Sequence, residues 1–262
     1  MEKITILANK NNFGGVRAYS SIKYIVLHYT ANDGDTAENN AKYFQTAHKP
    51  ASSAHYFVDD NKIALSVPDN YIAYSVGGNR YFDVEKTGGG KLYKKVTNAN
   101  SISIEMCGTK KDGKGTASEK TMKNAADLCL ELMKKHNVDI DHVVRHFDVT
   151  GKHCPVYFMS EHSWEKFKDR IRSYGFQTDK SYITTHACYL RRTPCVGNNK
   201  VEYNFLSDAV KKKCRQKAGL AIFKKEKNFR LMKVKVVCGN VWGQMKSGYW
   251  VPLVYKGKER AK

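Results

Sequence analysis

The sequence predicts an α/β domain, a mixed central β-sheet flanked by helices, followed by a small all-β, barrel-like domain. Three observations carry that reading. Up to about residue 175, β-branched and aromatic runs alternate with segments of helical period. Beyond that point the helical period stops and short alternating runs are punctuated by glycine. The charge balance breaks at the same place: residues 176–262 carry 20 Lys and Arg against 5 Asp and Glu, whereas residues 1–175 carry 25 against 20. A chain of 262 residues is long enough for two domains that each bury a core. The division is read as 1–175, a short polar linker at 176–181, and 182–262.

Residues 23–29 form a continuous β-branched and aromatic run, the pattern of a central strand. Asp35 or Thr36 can cap a helix on which Ala37, Ala41 and Phe44 recur at helical spacing. Residues 55–59 and 63–67 read as a hairpin turning at Asp60-Asn61. The segment 77–100, with Gly88-Gly89-Gly90 and Lys91, Lys94 and Lys95, is a long loop for a compact domain, and such loops are usually functional or disordered. Residues 101–107 are a further strand. Ser118 then caps a long helix with Met122, Ala125, Ala126, Cys129, Leu132 and Met133 on one face. Residues 143–146 are a short strand, and Trp164, Phe167, Ile171 and Tyr174 line a closing helix. In the last third, residues 233–237 alternate as a strand should, and 241–252 are rich in aromatics and glycine, whereas 201–217 fit no such pattern.

Composition excludes several classes. Hydrophobic content of 41% belongs to a folded chain, yet no apolar run approaches the ~20 residues of a membrane-spanning helix. The first residues turn polar at 9–12, short of the ~7–15 apolar residues of a signal-peptide core, so no export signal is read. Seven cysteines without a Cys-x-x-Cys pair argue against a disulfide framework or a zinc ribbon. Basic residues interleaved with aromatics also suit phosphate backbones. No helix-turn-helix, zinc-finger or RNA-binding signature accompanies them, so no nucleic-acid partner is expected.

Two distant segments carry the chemistry. His28 stands near the end of the apolar run Ile25-Val26-Leu27, where a side chain can project into a cleft. His146 follows Val143-Val144-Arg145, and Cys154 comes eight positions later, just before Pro155. Two imidazoles and a thiolate fill three tetrahedral positions on Zn²⁺ and leave the fourth for water, the plan of a catalytic rather than a structural zinc. Taken singly, each residue reads as a packed core histidine or a buried thiol. Together they predict metal-assisted hydrolysis, with a cysteine hydrolase built on Cys154 and His146 as an alternative.

IVLHYTAN, SSAHYFVDD, SISIEMCG and RHFDVTGKHCP occur in that order within residues 1–175. Together they resemble the zinc-dependent N-acetylmuramoyl-L-alanine amidases of the type-2 family, which includes phage endolysins, bacterial autolysins and peptidoglycan recognition proteins. The resemblance implies the type-2 amidase fold, Zn²⁺ as cofactor, and cleavage of the amide between N-acetylmuramic acid and L-alanine in bacterial peptidoglycan. It puts His28, His146 and Cys154 on the metal and leaves the adjacent His153 off it. Glu105 matches the glutamate of the glutamate-bearing members. On its strand it faces away from Ile102, Ile104 and Met106, and the resemblance makes it the general base that takes a proton from water and passes it to the leaving amine. Lys152 matches a lysine two positions before the cysteine ligand, where a cation stabilises the oxyanion. His55 reads as a packed histidine, and Ala54 stands where some relatives have a tyrosine, so no tyrosine-assisted chemistry carries over. Members that bind peptidoglycan without cutting it normally lack the thiolate ligand, which this chain keeps. The resemblance also implies synthesis in the cytoplasm and action on the extracellular wall after release by a holin or by lysis.

The ends of the last third are similar to bacterial Src-homology-3-like wall-binding domains, residues 186–194 to their first strand and 241–252 to their closing segment. That likeness implies a basic wall-binding module at 182–262, presenting Tyr, Trp and Lys to anionic, sugar-rich wall polymers. A nucleic-acid-binding module is the competing reading.

Overall fold

The alternation of extended and helical segments before residue 171 folds into a six-stranded sheet with a separate two-stranded one. In the computed structural model, which describes residues 1–108 and 116–262, a first unit spans Met1–Ile171 and a second Arg172–Lys262. The first contains β1 (Glu2–Thr5), β2 (Phe13–Val16), β3 (Tyr24–Tyr29), α1 (Ala37–Tyr43), β4 (Tyr56–Val58), β5 (Lys62–Leu65) and β6 (Tyr71–Ala73). It continues with α2 (Val84–Thr87), β7 (Ser101–Met106), α3 (Glu119–His136), β8 (Val143–Arg145), α4 (His146–Thr150) and α5 (Glu161–Tyr174). Six strands pair in the order β1-β5-β4-β7-β3-β8; β4 and β5 are antiparallel and the other neighbours parallel. The interior strands β3 and β7 are covered on both faces. Ile25, Val26, Leu27, Ile102 and Ile104 are therefore all fully buried, and the sequence reads as near-continuous apolar runs.

The two faces have different cover. On one, Phe57 and Ala64 pack with Ala37 and Ala41 of α1, whose first turn is capped by Thr36 rather than Asp35. On the other, Tyr56 donates to Asp69, which also takes hydrogen bonds from Lys135 and His136 of α3. Ser118 caps α3 as expected, accepting from Thr121 N at 3.0 Å. The buried stripe of α3 includes Thr121, Asn124 and Leu128 beside Ala125, Ala126, Cys129 and Leu132. Met122 and Met133 are only half-buried, because the stripe lies about one position off the expected one. Trp164, Phe167 and Ile171 of α5 are buried; the side chain of Tyr174 lies outside the described residues.

The segment expected to be a strand through His146 ends one residue earlier. Asp148 accepts from Arg145 N at 2.8 Å and closes the first turn of α4, so His146 begins a helix. The long loop is pinned to that helix: Tyr81 N, Gly90 N and Leu92 N donate to Thr150 O, Phe147 O and Asp148 O at 2.8–2.9 Å. Glycine is required in this seam, since a Cβ on Gly89 would lie 2.6 Å from Phe147.

The second unit is mainly β, with only short helical turns between its strands. It contains β9 (Ser181–Ile183), β10 (Cys188–Tyr189), α6 (Asp208–Lys211), β11 (Cys214–Lys217), β12 (Leu220–Phe223), β13 (Asn228–Val237), β14 (Asn240–Met245), β15 (Trp250–Tyr255) and β16 (Lys258–Glu259). A five-stranded antiparallel sheet, β16-β15-β14-β13-β9, and a three-stranded one, β10-β12-β11, share a core of Leu190, Phe223, Phe229, Leu231, Val241, Val251 and Leu253. Phe176, in the segment read as linker, packs against this core.

Candidate active site

Four neighbouring strands aim their ends at one point. Phe57 pairs in register with Glu105, and Glu105 with His28. On the next strand Leu27 pairs with Arg145, so that His146 follows immediately. Parallel neighbours in register show the same face, and the row Phe57, Glu105, His28 runs across the sheet toward His146. Cys154 reaches the row through a backbone hydrogen bond, Phe147 N to Cys154 O at 2.9 Å, which folds the chain after α4 back on itself.

The result is a cluster of three potential ligands. One donor atom each from His28, His146 and Cys154 lies within 4.8 Å of the others, and all three residues are buried. Cys154 Sγ is 3.9 Å from His28 Nδ1, and Glu105 Oε1 is 3.8 Å from the same nitrogen. Burial holds both imidazoles in the neutral form, His146 down to about 3, so their lone pairs are free for a cation. His28 Nε2, His146 Nδ1 and Glu105 Oε2 are buried without a hydrogen-bond partner among the described residues. Orphaned buried polar atoms are costly, and a metal ion would relieve some of that cost. Burial also pushes the Cys154 thiol well above its usual range; a coordinated cation would take its proton off. The donor set thus fits a metal ion.

Burial pushes the Glu105 carboxyl up to about 7, with Lys152 pulling it down and Asp35 adding to the rise. Glu105 and the exposed Lys152 line one cleft of about 580 Å³ together with Tyr29, Asn32, Asn39 and Tyr43. Tyr29 stands edge-on to Tyr157, ring centroids 5.9 Å apart.

His153 points elsewhere: its side chain is 56% exposed and its Nε2 lies 3.8 Å from Asp83. His55 is a hydrogen-bonded core histidine one pleat behind Glu105, with Nδ1 3.1 Å from Ser103 Oγ and Nε2 2.8 Å from Arg17 Nη2. Two residues escaped the sequence reading. Asp35, weighed only as a helix cap, accepts from Gly108 N at 2.5 Å and from Asn40 Nδ2 at 2.6 Å, tying the loop after β3 to the end of β7. Arg145, read as one more strand residue, is 3% exposed and bonds Asp148, Phe158 O and Glu161. Its i,i+3 spacing to Asp148 was the available signal.

Comparison with known proteins agrees with this fold. The profile of the N-acetylmuramoyl-L-alanine amidase family matches residues 18–157. The amidase CwlL of Bacillus licheniformis is 37% identical over 148 residues, 55% of this chain and 39% of its own length. The amidase BlyA of Bacillus subtilis strain 168 is 36% identical over 176 residues, 64% of this chain and 46% of its own. The chain therefore matches less than half the length of these relatives. Among solved structures, the catalytic domain of XlyA superposes with a TM-score of 0.50 at 30% identity, covering 65% of this chain and 99% of that domain. With the fold, the motif order and the profile match in agreement, the chain belongs to the N-acetylmuramoyl-L-alanine amidase family.

Proposed function

We propose that the chain is an endolysin-type peptidoglycan hydrolase that cleaves the amide between N-acetylmuramic acid and L-alanine. Residues 1–175 serve as the zinc amidase domain and 182–262 as a basic, Src-homology-3-like wall-binding domain. The observation that carries this reading is the convergence of His28, His146 and Cys154 beside Glu105, which lines an open cleft with Lys152. His28, His146 and Cys154 would hold Zn²⁺. Bound there, the ion supplies Lewis-acid polarisation of the lactyl carbonyl and brings the pKa of water toward ~7.

The protein's own groups do the rest. Glu105 accepts a proton from the attacking water and returns it to the departing L-alanine nitrogen, a dual role that suits a carboxyl near 7. Lys152 lends its ammonium to the carbonyl oxygen as that atom gains negative charge. Tyr29 and Tyr43 offer the sugar and stem peptide apolar walls with polar tips. The strongly basic second unit, net +15 over residues 176–262, draws the enzyme to anionic wall polymers. Action on the wall follows release of the protein by a holin or by lysis. Purified protein should carry about one zinc per chain, and Cys154→Ser should lose most of it together with muropeptide hydrolysis, because a neutral hydroxyl is a poor ligand. Full zinc content in that variant would remove Cys154 from the site.

A further inference from the structure

The second unit holds a pocket of about 290 Å³ that the hydrolytic reading does not use. Tyr189, Trp242 and Tyr255 line it with aromatic rings, His186, Arg191 and Arg260 with polar or cationic heads, and no Asp or Glu among the described residues lines it. Trp242 and Tyr255 stand edge to face, centroids 6.4 Å apart, and the Arg191 guanidinium lies 5.7 Å from the Trp242 ring. Arg191 is 8% exposed and held in place, Nη1 donating to Gly197 O at 3.1 Å and to Asn199 Oδ1 at 2.6 Å. Its orientation is thus set before any ligand arrives, which lowers the entropic cost of binding. Trp242 Nε1 is a buried donor without a partner among the described residues. Cys188, also in the lining, remains a neutral thiol, since burial pushes it up to about 12. Positive charge in the pocket is therefore not cancelled by the pocket itself.

A guanidinium fork matches the geometry of phosphate and carboxylate, and aromatic faces bury apolar ligand surface. The volume sits at the low end of the ~300–1,000 Å³ typical of small-ligand sites, enough for one unit of a polymer rather than a stretch of it. We propose that this pocket binds an oxyanion, phosphate or carboxylate, carried on a repeating unit of the bacterial wall. The proposal rests on the reading of the second unit as a wall-binding module. It gives that module a built site where the net charge alone would give only a diffuse field.

The test measures retention of the full-length protein on purified walls, comparing Arg260→Gln and Tyr255→Leu with Lys217→Gln, an exposed lysine on β11 that loses the same charge as Arg260→Gln. Circular dichroism melts check the fold, and Arg260→Lys, which keeps the charge but not the fork, reads the same site should Arg260→Gln unfold. Each pocket variant should bind about tenfold more weakly, the scale of a binding hot spot, while Lys217→Gln stays within about twofold. Walls stripped of phosphodiester-linked polymers with hydrofluoric acid separate the two sources. Loss of the pocket effect on stripped walls assigns the phosphate, and its persistence assigns a peptidoglycan carboxylate. Pocket variants that bind as Lys217→Gln does would overturn the pocket alone. Wild-type protein that walls do not retain, or that duplex DNA strips from them at moderate salt, would overturn the wall-binding reading and the pocket with it.

Discussion

His28 and Glu105 are register partners on the adjacent parallel strands β3 and β7, with Nδ1 of the one 3.8 Å from Oε1 of the other. Because ladder hydrogen bonds rather than a loop fix their backbone register, the Glu105 carboxylate is held beside the cluster of His28, His146 and Cys154.

Removal of the Glu105 carboxylate should therefore affect chemistry and little else. Glu105→Ala should keep its zinc and its fold and lose about 10²–10⁴-fold in turnover. Lys152→Ala, at an exposed position, should leave the melting temperature within about 2 °C and lower turnover about 10²-fold. Metal analysis, thermal melts and muropeptide hydrolysis on the two variants check this; near-normal turnover in either demotes that residue to a bystander.

Arg145 should be a positioning residue. Its buried guanidinium clamps Asp148 at the start of α4 and Phe158 O beyond Cys154, so it holds both ends of the segment that carries His146 and Cys154. The Glu161 arm is 75% exposed and adds little. Arg145→Met should cost about 3 kcal/mol, at the low end for breaking a buried pair, because Asp148 keeps some access to water. Zinc affinity should fall with it. Urea unfolding and competition with a zinc-sensitive dye measure the two effects, and an unchanged zinc affinity would contradict the positioning role.

His55 should give the fold an acid limit. Burial and the Arg17 cation hold its folded pKa down to about 3, against 6.5 for the free side chain. The unfolded chain then binds the extra proton between those values. Stability should be complete above about pH 6.5 and fall as pH drops toward 3, by at most ~1.4 kcal/mol per pH unit for this one group. Urea midpoints of zinc-loaded wild type and His55→Gln at pH 7 and pH 5 check it: the wild type should lose more between the two pH values. Equal losses would mean that His55 does not stay neutral in the fold.

The sequence made the sheet and the meeting of His28, His146 and Cys154 legible for one reason. His28 and His146 follow β-branched runs and Glu105 alternates with Ile102, Ile104 and Met106, and these runs become neighbouring parallel strands whose ends meet in register. What it hid depends on contacts between distant segments. Nothing local in the 77–100 loop signals that Gly90 and Leu92 bond the backbone of α4, or that Gly89 must be bare to clear Phe147. Asp35 looked like a cap because its true partner, Gly108 N, is 73 positions away. In the second unit, β11 was illegible because Cys-Arg-Gln-Lys buries only Cys214, so the strand has no apolar alternation to read.

The most direct test is to digest purified peptidoglycan with the full-length protein, with and without a zinc chelator, and to identify the new ends. New L-alanine amino termini and no new reducing sugars are expected, with the activity lost in chelator and restored by Zn²⁺. Reducing sugars, amino termini of another residue, or undiminished cleavage in the presence of chelator would contradict it.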